Sequence, residues 1–296
     1  MAPFDWLPHA PLEPVQLDWL RGVELAVLRL DLIDPLISGN KWFKLSGHLA
    51  QARQAGASGI ISLGGAYSNH LHALAAAGQR FGFATVGLLR GHPQDTPTVL
   101  DLKAFGMHLH WLGYGGYRAR HEPRFWEPWH EHYPHLHAVP EGGGGLTGAL
   151  GCGVLVEQAR TQLNALGWDD YDAWWLAAGT GTTLAGLVLA EAGGHPVYGA
   201  LAVPDDHGVA RTVQSIVAQG YELLDASRGG FARVDPLLLA FIDVTQRQCG
   251  LPLEPLYTGK ALLALKQQIE AGRFAPGTRL IFIHTGGLQG LRGFDP

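Results

Sequence analysis

The chain has 296 residues, 47% of them hydrophobic, a formal net charge of −5 and only 21 lysines and arginines. This suits one large domain or two moderate ones, and the lack of any basic block argues against nucleic acid or an anionic membrane as a partner. Cys152 and Cys249 are the only cysteines, too few and too far apart for a disulfide or zinc framework, which fits a reducing cytoplasm.

The opening MAPFDWLPHAPLEP has neither the basic region nor the apolar region of a secretory signal, and no uncharged apolar run reaches transmembrane length. ELAVLRLDLI (24–33) then reads as a strand, and SGNKWFKL (38–45) follows it. Taken alone, its Lys41 and Lys44 are either solvated residues opening a helix, or one is held neutral for chemistry while the other grips an anion. GIISLG (59–64) reads as a buried strand, SNHLHALAAAGQRFG (68–82) as a helix, FATVGLLR (83–90) as a strand, PTVLDLKAFG (97–106) as a helix and MHLHWL (107–112) as a strand. The stretch 113–145 mixes glycine, aromatics and histidine without clear period. A helix is expected over 147–167, a strand over 172–178, a helix over 182–194 and a strand over 196–203. Further helices are expected over 205–220, with Asp205 and Asp206 at the favoured end of the dipole, then at about 236–249 and about 260–272. RLIFIHTGG (279–287) closes the series as a strand. This rhythm argues for an α/β protein with parallel sheets covered by helices, in two blocks at roughly 46–145 and 146–296, with residues 1–45 free to join either.

Ligands of such sheets gather at the carboxyl ends of the strands, where three glycine-rich turns stand. LGGAYSNHLHA (63–73) puts Ser68, Asn69 and His70 at a helix start; capping explains one of them but not all three. AAGTGTTLAGL (177–187) has the small residues and following helix of a phosphate cradle. It lacks the Gly-Lys-Ser/Thr of a Walker loop, and Leu184 stands where a dinucleotide fingerprint needs its third small residue. FIHTGGLQGL (282–291) places Thr285 at the last strand end, or is a plain Gly-Gly turn. A cradle, a lysine after Gly-Asn and hydroxyls at strand ends together suit a phosphorylated cofactor linked to lysine, and pyridoxal phosphate needs all three.

These motifs resemble those of the 1-aminocyclopropane-1-carboxylate (ACC) deaminase/D-cysteine desulfhydrase family, a branch of the fold type II pyridoxal-phosphate enzymes. SGNKWFKL, LGGAYSNHLHALAAAG, LLRG (88–91), VPEGGGGLTGALG (139–151), AAGTGTTLAGL, PLYTGKALLAL (255–265) and HTGGLQGL occur in the family order, and Asn69 follows Lys41 by 28 residues, as in the family pattern. The resemblance implies two open, twisted, mostly parallel sheets flanked by helices with the cofactor between the domains: a small one at 46–145 and a large one of 1–45 plus 146–296. It implies that Lys41 is the Schiff-base lysine, that Lys44 contacts the cofactor phosphate, and that Asn69 bonds the ring hydroxyl. Ser68 and His70 would face the substrate, Gly179, Thr180, Gly181, Thr182 and Thr183 would form the phosphate loop, and Tyr257 would stand beside the substrate. A homodimer is implied as well. Burial and a neighbouring cation would keep Lys41 neutral, as attack and proton transfer require.

The sequence departs from the deaminase branch at three points. Thr258 stands where that branch has a carboxylate after the active-site tyrosine, and Thr285 stands where it has leucine; a second tyrosine expected upstream of Tyr257 is replaced by nothing closer than Phe231. A threonine against the ring nitrogen makes a weaker electron sink, which suits β-elimination from a small amino acid such as D-cysteine more than opening of a cyclopropane ring. ACC deamination, dehydration of a hydroxy amino acid and a non-catalytic cofactor- or nucleotide-binding role are the alternatives. His130, His132, His135 and His137 lack the partners of a metal motif and read as a polar surface segment. Trp42 adjoins Lys41, where it would narrow the substrate space.

Overall fold

The computed structural model describes residues 6–204 and 207–293. In chain order, β1 (Leu12–Val15), β2 (Glu24–Arg29), α1 (Lys41–Gln54), β3 (Gly59–Gly64), α2 (Asn69–Phe81), β4 (Ala84–Leu89), α3 (Pro97–Ala104) and β5 (His108–Trp111) lead to α4 (Gly113–Arg118), α5 (Glu127–His132) and β6 (Leu136–Ala138). Then follow α6 (Gly145–Cys152), α7 (Val154–Arg160), β7 (Ala173–Ala178), α8 (Thr182–Glu191), β8 (Val197–Leu201), α9 (Val209–Gln214), β9 (Tyr221–Asp225), α10 (Pro236–Cys249), α11 (Thr258–Glu270) and β10 (Arg279–His284).

Two open sheets result. One has six strands in the order β1-β2-β10-β7-β8-β9 and the other four in the order β5-β4-β3-β6. Every pairing is parallel except β1 with β2. Parallel strands covered on both faces need continuous apolar runs, and AWWLAA of β7 is buried at every position, Trp174 and Trp175 completely. All four strands of the smaller sheet come from residues 59–138, and those of the larger from 12–29 and 173–284. The boundary expected at 45/46 falls inside α1, one continuous helix.

Helices α1, α6 and α8 stack backbone to backbone. A Cβ on Gly151 of α6 would lie 2.1 Å from the Phe43 carbonyl oxygen in α1, and one on Gly186 of α8 would lie 2.2 Å from the Ala149 oxygen in α6. Glycine is required there by close approach.

Several expected elements differ. The helix expected over 147–167 is α6 and α7 with a turn at Gly153 and a final 3-10 turn at Leu163–Leu166. The helix expected over 205–220 shrinks to α9: Gly208 precedes it with a left-handed φ of 72°, and Gly220, at φ 90°, turns the chain into the unanticipated β9. Its expected acidic start, Asp205 and Asp206, lies outside the described residues. Strands β1 and β6, four and three residues long, also had no period to betray them. Among the described residues, no helix is long and apolar enough to cross a membrane.

Trp42 does not border the site. It is 2% exposed and packs with Trp6 and Phe81 at ring-centroid distances of 4.6 and 5.4 Å, while the Arg80 guanidinium lies 4.4 Å from the Trp6 ring. The side chain follows the α1 surface away from the strand ends, because adjacent helical positions point about 100° apart. The expected narrowing of the substrate space by Trp42 therefore has no structural basis.

Candidate active site

The carboxyl ends of β3, β4, β7 and β10 and the start of α1 surround a cavity of about 530 Å³. Its construction begins at Gly39. With φ 79°, this residue takes a left-handed turn so close to β10 that a Cβ would lie 2.3 Å from the Thr285 oxygen. The Asn40 amide donates to that same oxygen at 3.1 Å, and the Gly39 amide to the Leu30 oxygen at 2.8 Å. The Gly-Asn pair thus seats the first turn of α1 on the end of the sheet.

Asn40 then joins two parts of the site. Its Nδ2 donates to Thr183 Oγ1 at 2.9 Å, and its Oδ1 accepts from Lys41 Nζ at 3.0 Å. One turn on, Lys44 Nζ donates to Thr180 Oγ1 at 3.3 Å. Both lysines therefore face the segment 179–183 that opens α8. Burial holds Lys41 well below the usual lysine range, and the neighbouring Lys44 charge lowers it further; burial lowers Lys44 too. Of the two readings of the lysine pair, solvated charges do not fit the 3% exposure of Lys44 or the bonds that hold both ammonium groups to Asn40 and Thr180.

Opposite stands the start of α2. Ser68 caps it, its Oγ accepting from the Leu71 amide at 3.2 Å, and Asn69 Oδ1 accepts from Gln289 Nε2 at 2.8 Å. His70 is 2% exposed. Its Nε2 lies 2.8 Å from Ser62 Oγ, and that hydroxyl donates to the Val139 carbonyl at 2.8 Å. Burial, then the charges of Lys41 and Lys44, push the His70 pKa far down.

Tyr257 forms the third side. Its ring is so near the loop that a Cβ on Gly179 would come within 2.8 Å of Cε1. Burial and the adjacent Glu254 carboxylate raise its phenol well above the usual range, so Tyr257 is a hydrogen-bond donor at neutral pH. Glu254 is 2% exposed and caps α11: Oε1 accepts from the Tyr257 and Thr258 amides at 2.8 and 2.6 Å and from Thr258 Oγ1 at 3.0 Å, and Oε2 from the Leu256 amide at 2.7 Å. Thr258, fully buried in that cap, does not line the cavity. Thr285 does.

The model of the family described as "Pyridoxal-phosphate dependent enzyme" matches residues 10–286. The chain belongs to this family. Within it, the chain is 26% identical to the D-cysteine desulfhydrase of Serratia proteamaculans, over 97% of this chain and 93% of the relative. It is likewise 26% identical to the bifunctional D-cysteine desulfhydrase/1-aminocyclopropane-1-carboxylate deaminase of Arabidopsis thaliana mitochondria, over 91% and 74%. A solved structure described as an ACC deaminase homologue superposes with a TM-score of 0.80 at 25% identity, over 95% of this chain and 90% of that one. The protein is thus a pyridoxal-phosphate-dependent enzyme with the fold type II architecture, and its homologues at 26–28% identity are described as ACC deaminases and D-cysteine desulfhydrases.

Its residues fit that cofactor. The segment 179–183 offers small residues, three threonines and the first amides of α8, which have no acceptor within the helix; the Lys44 ammonium is already bonded to one of those threonines. A lysine biased to the neutral form stands one turn away. Of the residues singled out in the sequence, Lys41, Lys44, Ser68, Asn69, His70, Gly179, Thr180, Gly181, Thr183, Tyr257 and Thr285 all line the one cavity. Thr182 lies just behind it, fully buried and 3.0 Å from the Thr180 hydroxyl.

Sequence reasoning passed over part of the cavity lining. Arg90, Gln94, Tyr114, Tyr117 and Glu141 belong to it; Tyr114 and Tyr117 come from the short helix α4, whose sequence shows no clear period. Glu141 is occupied there, accepting from Tyr117 Oη at 2.6 Å and Arg120 Nε at 2.7 Å. Ser62 and Glu254 were also overlooked, since a serine inside a strand and a glutamate before a proline carry no local signal. Among the described residues, no three His, Cys, Asp or Glu side chains converge on one point.

Proposed function

We propose that the enzyme is a lyase that carries out α,β-elimination on a small amino acid, D-cysteine being the leading candidate. The overall conversion is D-cysteine plus water to pyruvate, ammonia and hydrogen sulfide. The observation that carries this reading is the charge of the cavity wall. Among the described lining residues Glu141 is the sole carboxylate, and it is spent on Tyr117 and Arg120. Thr285, which lines the cavity, would stand against a pyridine nitrogen, and its hydroxyl could not hold that nitrogen protonated as a carboxylate would.

When bound, pyridoxal phosphate supplies the carbonyl that takes up amines and the ring that delocalises electron density from the substrate α-carbon. The chain supplies the rest. Lys41, its pKa lowered by burial and the Lys44 charge, would anchor the cofactor and carry a proton. Lys44 with Thr180, Thr182 and Thr183 would hold the phosphate end at the α8 terminus, and Asn69 would take the ring hydroxyl. Ser68 and His70 meet the substrate from the start of α2. Tyr257, kept protonated by burial, donates a hydrogen bond or a proton toward the departing sulfur.

The test is a spectrum followed by a substrate panel. The purified protein is expected to show an absorbance band near ~410–420 nm that is lost in Lys41→Ala. Pyruvate, α-ketobutyrate and sulfide are then measured from D-cysteine, L-cysteine, D-serine and ACC. Pyruvate with equimolar sulfide from D-cysteine is the expected result. α-Ketobutyrate from ACC at a higher kcat/KM would replace the elimination reading with a deaminase one.

A further inference from the structure

Lys260, the lysine of PLYTGKALLAL, takes no part in the site described above. It is the third residue of α11 and 1% exposed. Its Nζ donates to the carbonyl oxygens of Ser227 at 2.9 Å and of Gly230 and Phe231 at 2.8 Å each, with the Ala202 oxygen at 3.5 Å. An ammonium carries three donors and no acceptor, so three close carbonyls saturate it. Burial lowers its pKa to about 8, Glu254, Asp225 and Asp235 favouring the charge and Arg228 opposing it; at neutral pH it is a cation.

The loop is shaped around that cation. Arg228 and Gly229 both take left-handed conformations, φ 56° and 82°, and a residue such as Arg228 holds this strained backbone only where the surroundings enforce it. The enforcement is on view. Asp225 Oδ1 accepts from the Ser227 amide at 2.9 Å, the Arg228 guanidinium is clasped by Asp235, and Asp235 caps α10 through the Leu238 amide at 3.0 Å. Phe231, whose carbonyl is one of the three, lines the cavity with its ring 5.5 Å from that of Tyr257.

We propose that Lys260 is a positioning residue whose ammonium acts as a tethered monovalent cation, gathering the carbonyls of 227–231 and so holding Phe231 against Tyr257 in the cavity wall. With the tether removed, the same cage takes a free cation of ammonium or potassium size. The inference stands on the backbone geometry of the loop and holds whichever substrate the enzyme uses.

Limited trypsinolysis of the full-length protein tests it, with cleavage after Arg228 and Arg233 followed by mass spectrometry. Lys260→Ala is expected to be cut there about tenfold faster than the native chain, the loss of a charge-assisted bond making the loop that much easier to open. Ammonium chloride should restore most of the protection, and an equal concentration of tetramethylammonium chloride, whose ion is too large for the cage, should not. Cleavage of Lys260→Ala at the native rate, or the same response to both salts, overturns the proposal. Lys260→Met keeps an apolar stem, loses the charge and fills the cage; it should be cut at the fast rate with neither salt protecting. If Lys260→Ala does not fold, Lys260→Met decides, and native-rate cleavage of that variant overturns the proposal equally.

Discussion

At the scale of single residues, His70 shows how a hydrogen-bond chain sets chemistry. The one proton of Ser62 goes to the Val139 carbonyl, so Ser62 Oγ can only accept from His70, and Nε2 must carry the imidazole proton. Nδ1 is then a lone pair, buried and without a partner among the described residues, on a side chain that lines the cavity. In this tautomer His70 Nδ1 can act only as a hydrogen-bond acceptor. Ser62→Ala should release the tautomer: 15N NMR of the imidazole is expected to change from a single Nε2–H form to a mixture, with about 1–3 kcal/mol of stability lost. An unchanged tautomer in the variant would remove Ser62 from this role. The motif made His70 visible in the sequence, but Ser62 could not be read there, since the bond spans from β3 to the first turn of the following helix.

At the scale of elements, regular period governed what could be read. β3, α2, β4, β7, α8 and α10 follow apolar runs or capped helical patterns closely. The short β1 and β6, and β9 with only partly buried residues, were invisible because each takes its identity from a neighbouring strand. Trp42 belongs to this scale as well. Its partners Trp6 and Phe81 come from the N-terminal segment and α2, and the Pro8 and Ala10 carbonyls bind Gln158 and Gln162 on and just after α7. The ring is thus a packing element between α1, α2 and that segment. Trp42→Ala should lower unfolding stability in urea by about 3–5 kcal/mol while leaving the order of preference among substrates unchanged. A reordered substrate profile with native stability would return Trp42 to the active site.

At the scale of the whole molecule, buried histidines link stability to pH. His48, His70, His72 and His284 are each less than 5% exposed, and burial is the leading cause that puts all four below 6.5. Below pH 6.5 the unfolded chain binds protons that the native chain refuses, so stability is fully present above that pH and is lost as it falls through the lower native values. Each such proton contributes a slope of up to about 1.4 kcal/mol per pH unit. The melting temperature should therefore drop between about pH 7 and pH 5, and a flat profile over that range would contradict the burial of these rings. The sequence by itself determined the alternation of strands and helices, the three glycine-rich turns and the lysine pair, because each is a local pattern of period, small residues or motif spacing. Only the tertiary structure decided that burial and the Lys44 charge lower the Lys41 pKa, that Thr258 is used up by the Glu254 cap, and that Trp42 turns away from the cavity. It alone revealed Lys260 inside a cage of carbonyls. Those facts depend on desolvation and on hydrogen bonds between positions distant in the chain, and no local pattern encodes them.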